Sequence, residues 1–120
     1  MLPSEFIRGT LKTIILKLLS YNKQMYGYEI TQRVAELSHN QIMLTYGALY
    51  PVLYKLESDG LLVTSTEVVD NRVRKYYVLT KKGKIVAKEK VSELQEFTKI
   101  LASILHDPST PHVNLKLSAK

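Results

Sequence analysis

The stretch that decides the fold runs from Leu44 to Thr80 and is LTYGALYPVLYKLESDGLLVTSTEVVDNRVRKYYVLT. Leu49, Leu53 and Leu56 follow the spacing i, i+4, i+7, which predicts a helix with one buried face. Thr45 stands just before this helix and is a favourable N-cap residue. The first half of the stretch is therefore predicted to be one short, capped helix.

The second half of the stretch predicts two strands joined by a turn. Gly60 is a natural C′ residue that ends the helix. Thr, Val and Tyr dominate residues 61–68 and 73–79, as is typical of half-buried strands. Asp70-Asn71 supplies the turn between them. Tyr76 and Tyr77 are neighbours in the second strand, so we expect one to face the core and the other to be exposed.

Helical periodicity continues on both sides of this stretch. Apolar residues recur at helical spacing over residues 5–20 and 26–38, which predicts two helices upstream. Thr80 is expected to cap a last helix that extends to about Leu105. The order α-α-α-β-β-α predicts an α+β fold, mainly α, of the winged helix-turn-helix type with a long C-terminal helix. We predict a winged-helix domain over residues 1–79, a dimerisation helix over 80–106 and a tail over 107–120.

The last predicted helix is too long for a small core to cover. About 25 residues of α-helix span roughly 37 Å. Its apolar seam favours packing against the same helix of a second copy, although a helix that folds back on its own domain remains the alternative. The seam residues predicted to form a dimer interface are Val91, Leu94, Phe97, Leu101, Ile104 and Leu105.

The composition excludes several classes of protein. The chain has no cysteine, so it can form no disulfide and no cysteine-ligated zinc site. Charges interrupt the N-terminus before any long apolar run, and no stretch approaches the ~20 apolar residues of a membrane span. These features favour a cytoplasmic protein. His39, His106 and His112 show no metal-ligand spacing, and no Gly-rich phosphate loop is present, so we expect no enzyme, metal or cofactor.

The positive charge is concentrated after the third helix. Residues 61–90 hold eight basic and three acidic side chains, whereas residues 1–60 hold six and five. A local basic patch attracts polyanions such as nucleic acid. A solvated lysine-rich surface is the alternative explanation. The residues predicted to contact DNA are Tyr28, Thr45, Tyr46, Tyr50, Tyr54, Lys55, Arg72, Arg74, Lys75 and Lys81.

Two groups dominate that set, and each has a structural alternative. The tyrosines at 46, 50 and 54 form a helix face that can contact sugar, thymine methyl or phosphate. Packing of Tyr50 against the core or the second helix is the alternative. Arg72, Arg74 and Lys75 surround the turn, where cations can enter a minor groove or clamp a phosphate. Alternatively, they only keep the ribbon edge from pairing with other sheets.

Four segments together resemble the PadR family of bacterial transcriptional regulators, in particular its small members with a single C-terminal helix. They are YGYEI at 26–30, GALYPVL at 47–53, LESDGL at 56–61 and RKYYVLT at 74–80 with Gly83. The resemblance extends over about residues 10–105. One departure lies in the wing, where the family often has Gly-Arg-Pro-Arg and this chain has Asn71-Arg72-Val73-Arg74.

The resemblance implies a homodimeric repressor that binds a two-fold symmetric, palindromic operator in double-stranded DNA. It implies dimerisation through the last and first helices, so Leu11 and Ile15 are added to the interface. It also implies that a small aromatic ligand can bind at the dimer centre and weaken DNA binding. Leu94 and Phe97 would lie near that centre, with Leu11 and Ile15 beside them.

Two other functions remain open at this point. A winged-helix module can instead use its aromatic face to bind a protein, without binding DNA. The chain could also bind small molecules after losing a DNA role. The charge concentration at residues 61–90 favours nucleic acid over the first of these.

Overall fold

The computed structural model describes residues 2–106 and shows four helices and one antiparallel sheet in this part of the chain. The predicted tail at 107–120 lies outside the described residues. The fold is the winged-helix fold expected from the sequence, with a long last helix. Its elements are α1 (Ser4–Tyr21), β1 (Met25–Tyr26), α2 (Gly27–Leu37), α3 (Tyr46–Ser58), β2 (Leu62–Val69), β3 (Arg72–Leu79) and α4 (Lys81–Leu105).

Local caps fix the ends of α3 and α4, as the sequence predicts. The Ala48 N–H donates to Thr45 Oγ1 at 3.1 Å. The Gly83 N–H donates to Thr80 Oγ1 at 2.9 Å, so Thr80 caps α4. Gly60 has a φ of 78°, the left-handed conformation that ends α3.

The wing is a tight hairpin of β2 and β3. Val69 pairs with Arg72 across the turn, and Leu62 pairs with Leu79 at the other end. Asp70 and Asn71 both have positive φ, 51° and 62°, which defines a two-residue type I′ turn. This turn type matches the right-handed twist of the strands, so the chain keeps a tight tip without the glycine that is common there.

A short strand that the sequence analysis missed completes the sheet. β1 pairs antiparallel with β3, which makes the strand order β1-β3-β2. The expectation that one of Tyr76 and Tyr77 is exposed was wrong, because both are buried, at 9% and 3% exposure. Tyr26 pairs with Tyr76 in register, and its ring packs edge-on at 5.4 Å between ring centroids. The added strand therefore covers the outer edge of β3, and its Tyr26 ring covers Tyr76.

The core lies between α1, α3 and the sheet and is entirely apolar in the described part of the chain. Ile15, Leu49, Leu53 and Leu56 are all fully buried within the single chain. Leu11 is 3% exposed. The placement of Leu11 and Ile15 at a dimer interface and ligand site is therefore corrected, because neither has free surface to offer a second copy.

The two halves of α4 differ in their surroundings. Gly83 and Ala87 are buried, and Val91 and Leu94 are half-buried against the body of the protein. From Gln95 to Leu105 every residue is exposed except Ala102, which is half-buried. No helix within residues 2–106 is long and apolar enough to cross a membrane.

Candidate nucleic-acid interface

An open cleft of about 670 Å³ lies between the start of α2, the first turn of α3 and the wing. It brings together four of the residues that the sequence analysis assigned to DNA. These are Tyr28, Tyr46, Arg72 and Arg74. The remaining lining residues are Tyr26, Val69, Asp70 and Val73. We call this space the wing cleft. Its walls are mainly aromatic and basic.

The tyrosine face of α3 enters the wing cleft at its first turn. Tyr46 is 51% exposed, and its ring lies 5.6 Å from that of Tyr50. The Tyr50 ring also packs directly on Gly27, where an added Cβ would overlap the Tyr50 hydroxyl. Tyr54 is 74% exposed. Tyr50 therefore packs against α2, the alternative weighed from sequence, while it keeps part of its ring exposed beside Tyr46.

The three cations of the wing are in different environments. Arg72 is exposed at the tip and takes part in none of the ion pairs found within residues 2–106. The Arg74 guanidinium stacks over the Tyr26 ring, 4.4 Å from its centroid. Lys75 Nζ lies 4.0 Å from Glu57 Oε1 on the opposite side of β3. Of the three, Arg72 presents the most available charge to a partner in solution.

The other predicted cations lie near the C-terminal end of α3, away from the wing cleft. Lys55 Nζ contacts Asp59 Oδ1 at 3.0 Å. Lys82 Nζ donates to the Asp59 carbonyl at 3.3 Å, and Lys81 beside it is exposed. Exposed ion pairs of this kind are weak, so Lys55 can exchange Asp59 for a phosphate at little cost. Four of the ten predicted residues thus form a wing-cleft group, and Lys55 and Lys81 form a second group at this helix end.

Two of the predicted contact residues also have structural roles. The Thr45 side chain accepts the Ala48 N–H as a helix cap, which leaves only its exposed outer surface for contact. The Tyr28 hydroxyl accepts a hydrogen bond from Gln32 Nε2 at 2.6 Å. Its ring is 51% exposed at the edge of the cleft. Tyr28 is therefore held in place by its own helix.

Tyr26 is the cleft residue that sequence reasoning missed. The pattern of residues 26–38 placed it on the apolar stripe of α2, whereas it forms β1 and precedes the helix. Its backbone N–H donates to Glu29 Oε1 at 3.1 Å, a hydrogen bond that closes the start of α2. Its ring contacts Tyr28, Tyr76 and Arg74. A strand of two residues is too short to show an alternating pattern in the sequence. It is recognised only by its pairing with β3.

The chemistry of this surface is that of binding. Guanidinium and ammonium groups contact phosphates, and exposed tyrosine rings contact sugars and bases. Within residues 2–106, no group of three or more His, Asp or Glu side chains could hold a metal ion. A short helix flanked by a basic wing defines the class of winged-helix DNA-binding proteins.

Comparisons with known proteins agree with this class. A sequence profile of the Transcriptional regulator PadR-like family matches residues 15–89. The Transcriptional regulator Rv3488 of Mycobacterium tuberculosis is 37% identical over 95 residues, which cover 79% of this chain and 85% of that protein. A transcriptional regulator from Clostridium thermocellum has a similar structure, with a TM-score of 0.77 and 27% identity over 88% of this chain and 100% of that one. A PadR family transcriptional regulator from Eggerthella lenta gives a TM-score of 0.72 at 29% identity, over 85% and 87% of the two chains.

The chain belongs to the PadR-like family of transcriptional regulators, because the profile match covers more than half of its length. The resemblance inferred from the four sequence segments is confirmed. The protein is therefore a DNA-binding transcriptional regulator and not an enzyme.

Proposed function

We propose that this protein is a homodimeric repressor that binds a two-fold symmetric operator and is released from it by a small aromatic effector. The observation that carries the proposal is the pairing of two surfaces on one chain. One is the wing cleft, which fits a polyanion, and the other is an uncovered apolar seam on α4. The proposed DNA contacts are those predicted from sequence, with the wing-cleft group foremost.

The wing cleft supports DNA binding through its shape and charge. The exposed rings of Tyr28 and Tyr46 form one side, and Arg72 stands on the other. A sugar–phosphate strand that passes between α3 and the wing would meet ring faces and a guanidinium together. Residues 46–58 offer no Arg, Asn or Gln for bidentate base contacts. We therefore expect DNA shape and wing contacts to contribute much of the sequence preference.

The seam on α4 supports a dimer. Phe97, Ile104 and Leu105 are 55%, 72% and 72% exposed, and Ile100 and Leu101 are 50% and 37% exposed. Contiguous apolar surface of this kind marks an interaction site. A second copy of the same helix covers it by two-fold symmetry. Two copies would also place two reading helices at half-sites about one DNA turn apart.

A groove between α1, α2 and α4 offers the complementary surface. It measures about 430 Å³, and Ile14, Leu18, Leu37 and Leu94 contribute to its apolar lining. Residues such as Leu37 at 57% exposure are unusually open for their type. We assign the groove to the exposed end of α4 from the second copy. The first helix then contributes to the interface through the half-buried Ile14 and Lys17, in place of the buried Leu11 and Ile15.

The effector is proposed to bind where the seam meets the groove. Leu94 lines the groove, and Phe97 lies one turn further along α4 with more than half of its surface exposed. An aromatic molecule stacked on Phe97 would alter how the two α4 helices pack. The bound molecule would weaken operator binding only if it favoured a dimer in which the two α3 helices are spaced differently.

The decisive experiment is footprinting of the purified protein on the DNA upstream of its own gene, with a reporter for transcription. A protected two-fold symmetric site, affinity that falls steeply with salt, and lower reporter output support the proposal. Binding that is independent of salt and shows no preference for this DNA would instead favour a protein-docking role for the tyrosine face. Higher reporter output would identify an activator.

A further inference from the structure

We propose that Arg74 is a positioning residue that fixes the wing by stacking on Tyr26, and that Arg72 is the arginine through which the wing contacts DNA. The inference rests on the DNA-binding role stated above. It moves Arg74 from the proposed DNA contacts to the support of the wing and keeps Arg72 as the contact, whereas their sequence positions alone make the two arginines equivalent.

The outer part of the wing has little support from the sheet. β1 reaches only as far as Tyr76 on β3, through the pair Tyr26–Tyr76. Beyond that pair, residues 66–69 and 72–75 form a two-stranded ribbon. An isolated two-stranded hairpin is marginally stable in water. The orientation of the ribbon therefore depends on any side chain that connects it to the body of the protein.

Arg74 makes that connection. It belongs to the two-stranded part of β3, yet its guanidinium lies 4.4 Å from the ring centroid of Tyr26 in the three-stranded part. Glu67 lies opposite Arg74 in register, but no ion pair joins them among the described residues. The Arg74 guanidinium therefore lies over the Tyr26 ring and does not pair with the Glu67 carboxylate. A planar guanidinium suits this stacked geometry better than an ammonium does.

Tyr26 is a fixed support for this contact. Its backbone is paired with β3, and its N–H donates to Glu29 Oε1 at the start of α2. Its ring packs edge-on against the buried Tyr76 and lies 6.4 Å from the ring of Tyr28. The Arg74–Tyr26 contact therefore sets the position of the wing relative to the start of α2. That position determines the width of the wing cleft.

Arg72 is placed for direct contact. It directly follows the type I′ turn at the tip, is exposed, and has no ion-pair partner among residues 2–106. Lys75 faces Glu57 and α3 from the other side of β3. Once Arg74 is engaged with Tyr26, Arg72 is the wing cation with a free guanidinium at the tip.

The experiment compares Arg74→Lys, Tyr26→Leu and the double variant with the wild type and with Tyr26→Phe. Arg72→Ala and Arg74→Ala are added for the salt series. Arg74→Lys keeps the charge but loses the planar stack, and Tyr26→Phe keeps the ring face. Tyr21→Leu is the matched control, since Tyr21 also carries a stacked cation, Lys17 at 4.2 Å, but lies outside the wing cleft. Amide hydrogen exchange of residues 66–75 is measured without DNA. Affinity for the footprinted duplex is then measured over a salt series.

Arg74→Lys and Tyr26→Leu should each speed exchange in the ribbon and weaken DNA binding about two- to fivefold, the range of an exposed cation–π contact. The double variant should be no weaker than either single one. Tyr26→Phe should keep the ribbon exchange of the wild type, and Tyr21→Leu should match the wild type in both measurements. The negative slope of log affinity against log salt should stay unchanged in Arg74→Ala, which lacks the cation, and should become about 0.9 less steep in Arg72→Ala.

Two results would overturn the assignment. The first is that Arg74→Lys keeps the affinity and the ribbon exchange of the wild type, while Arg74→Ala makes the salt slope about 0.9 less steep. Arg74 would then be a direct phosphate contact. The other is additive losses in the double variant. If the wild type binds no duplex at all, the proposed function fails, while the exchange data still decide whether Arg74 holds the wing.

Discussion

Replacing Ile104 by alanine tests the proposed dimer at one of its two most exposed apolar positions. Ile104 is 72% exposed in the single chain, so most of its surface is available for a partner to cover. The change removes three carbon atoms, worth about 2.4 kcal/mol if they were fully buried in the interface. Scaled by the exposed fraction of 72%, the loss is about 1.7 kcal/mol per copy. A symmetric dimer loses it twice, about 3.5 kcal/mol, or a roughly 300-fold weaker dimer.

Sedimentation equilibrium over a range of protein concentrations measures this dissociation constant. Ile85→Ala is the control, because Ile85 lies on the same helix and is 62% exposed but is not part of the predicted seam. Both changes raise helix propensity equally, so the difference between them reports the interface alone. Ile104→Ala should also weaken operator binding at low protein concentration, since two half-sites are then rarely bound together.

The assignment of the α4 seam to the dimer interface is wrong if the Ile104→Ala and Ile85→Ala dimers have the same dissociation constant. It also fails if the wild type sediments as a monomer at every concentration. In the first case the seam is covered by something other than a second α4. In the second, α4 is a single exposed helix and the operator need not be symmetric.

The remaining predictions concern stability and DNA contact. Gly83→Ala should lower the free energy of unfolding by about 1–3 kcal/mol in urea titration, because the new Cβ overlaps the Leu61 carbonyl. Gly9→Ala, whose Cβ would meet nothing within 4 Å, should raise it by about 0.5–1 kcal/mol and serves as the matched control. Thr80→Ala should cost about 0.5–2 kcal/mol in the same titration, since it removes the cap of α4. Arg72→Ala should reduce the salt slope of duplex binding by about 0.9, and an unchanged slope would remove Arg72 from the interface.

The secondary structure was predictable wherever its signals are local. The caps Thr45 and Thr80, the stop at Gly60 and the Asp70-Asn71 turn are all where the sequence placed them. Each depends on a hydrogen bond or a dihedral angle within a few residues. The short strand β1 was missed because it exists only through its pairing with β3, some 50 residues away in the chain.

The candidate site was predictable in composition and only partly in geometry. Tyr28, Tyr46, Arg72 and Arg74 line one cleft, whereas the other six residues predicted to contact DNA lie outside it. Their different roles did not follow from sequence. Whether an arginine is free or stacked depends on which ring the fold places beside it, and Tyr26 was assigned to the wrong element.

The sequence by itself determined the order of the four helices and the two wing strands, the winged-helix class and the family. Periodicity, caps and turns are properties of neighbouring residues, and the four family segments retain their order and spacing. Only the tertiary structure decided that Leu11 and Ile15 are buried, that Tyr76 is covered, and that Arg74 stacks on Tyr26. Each of these depends on which surfaces two distant elements bring together, and an apolar stripe alone does not reveal which element will cover it.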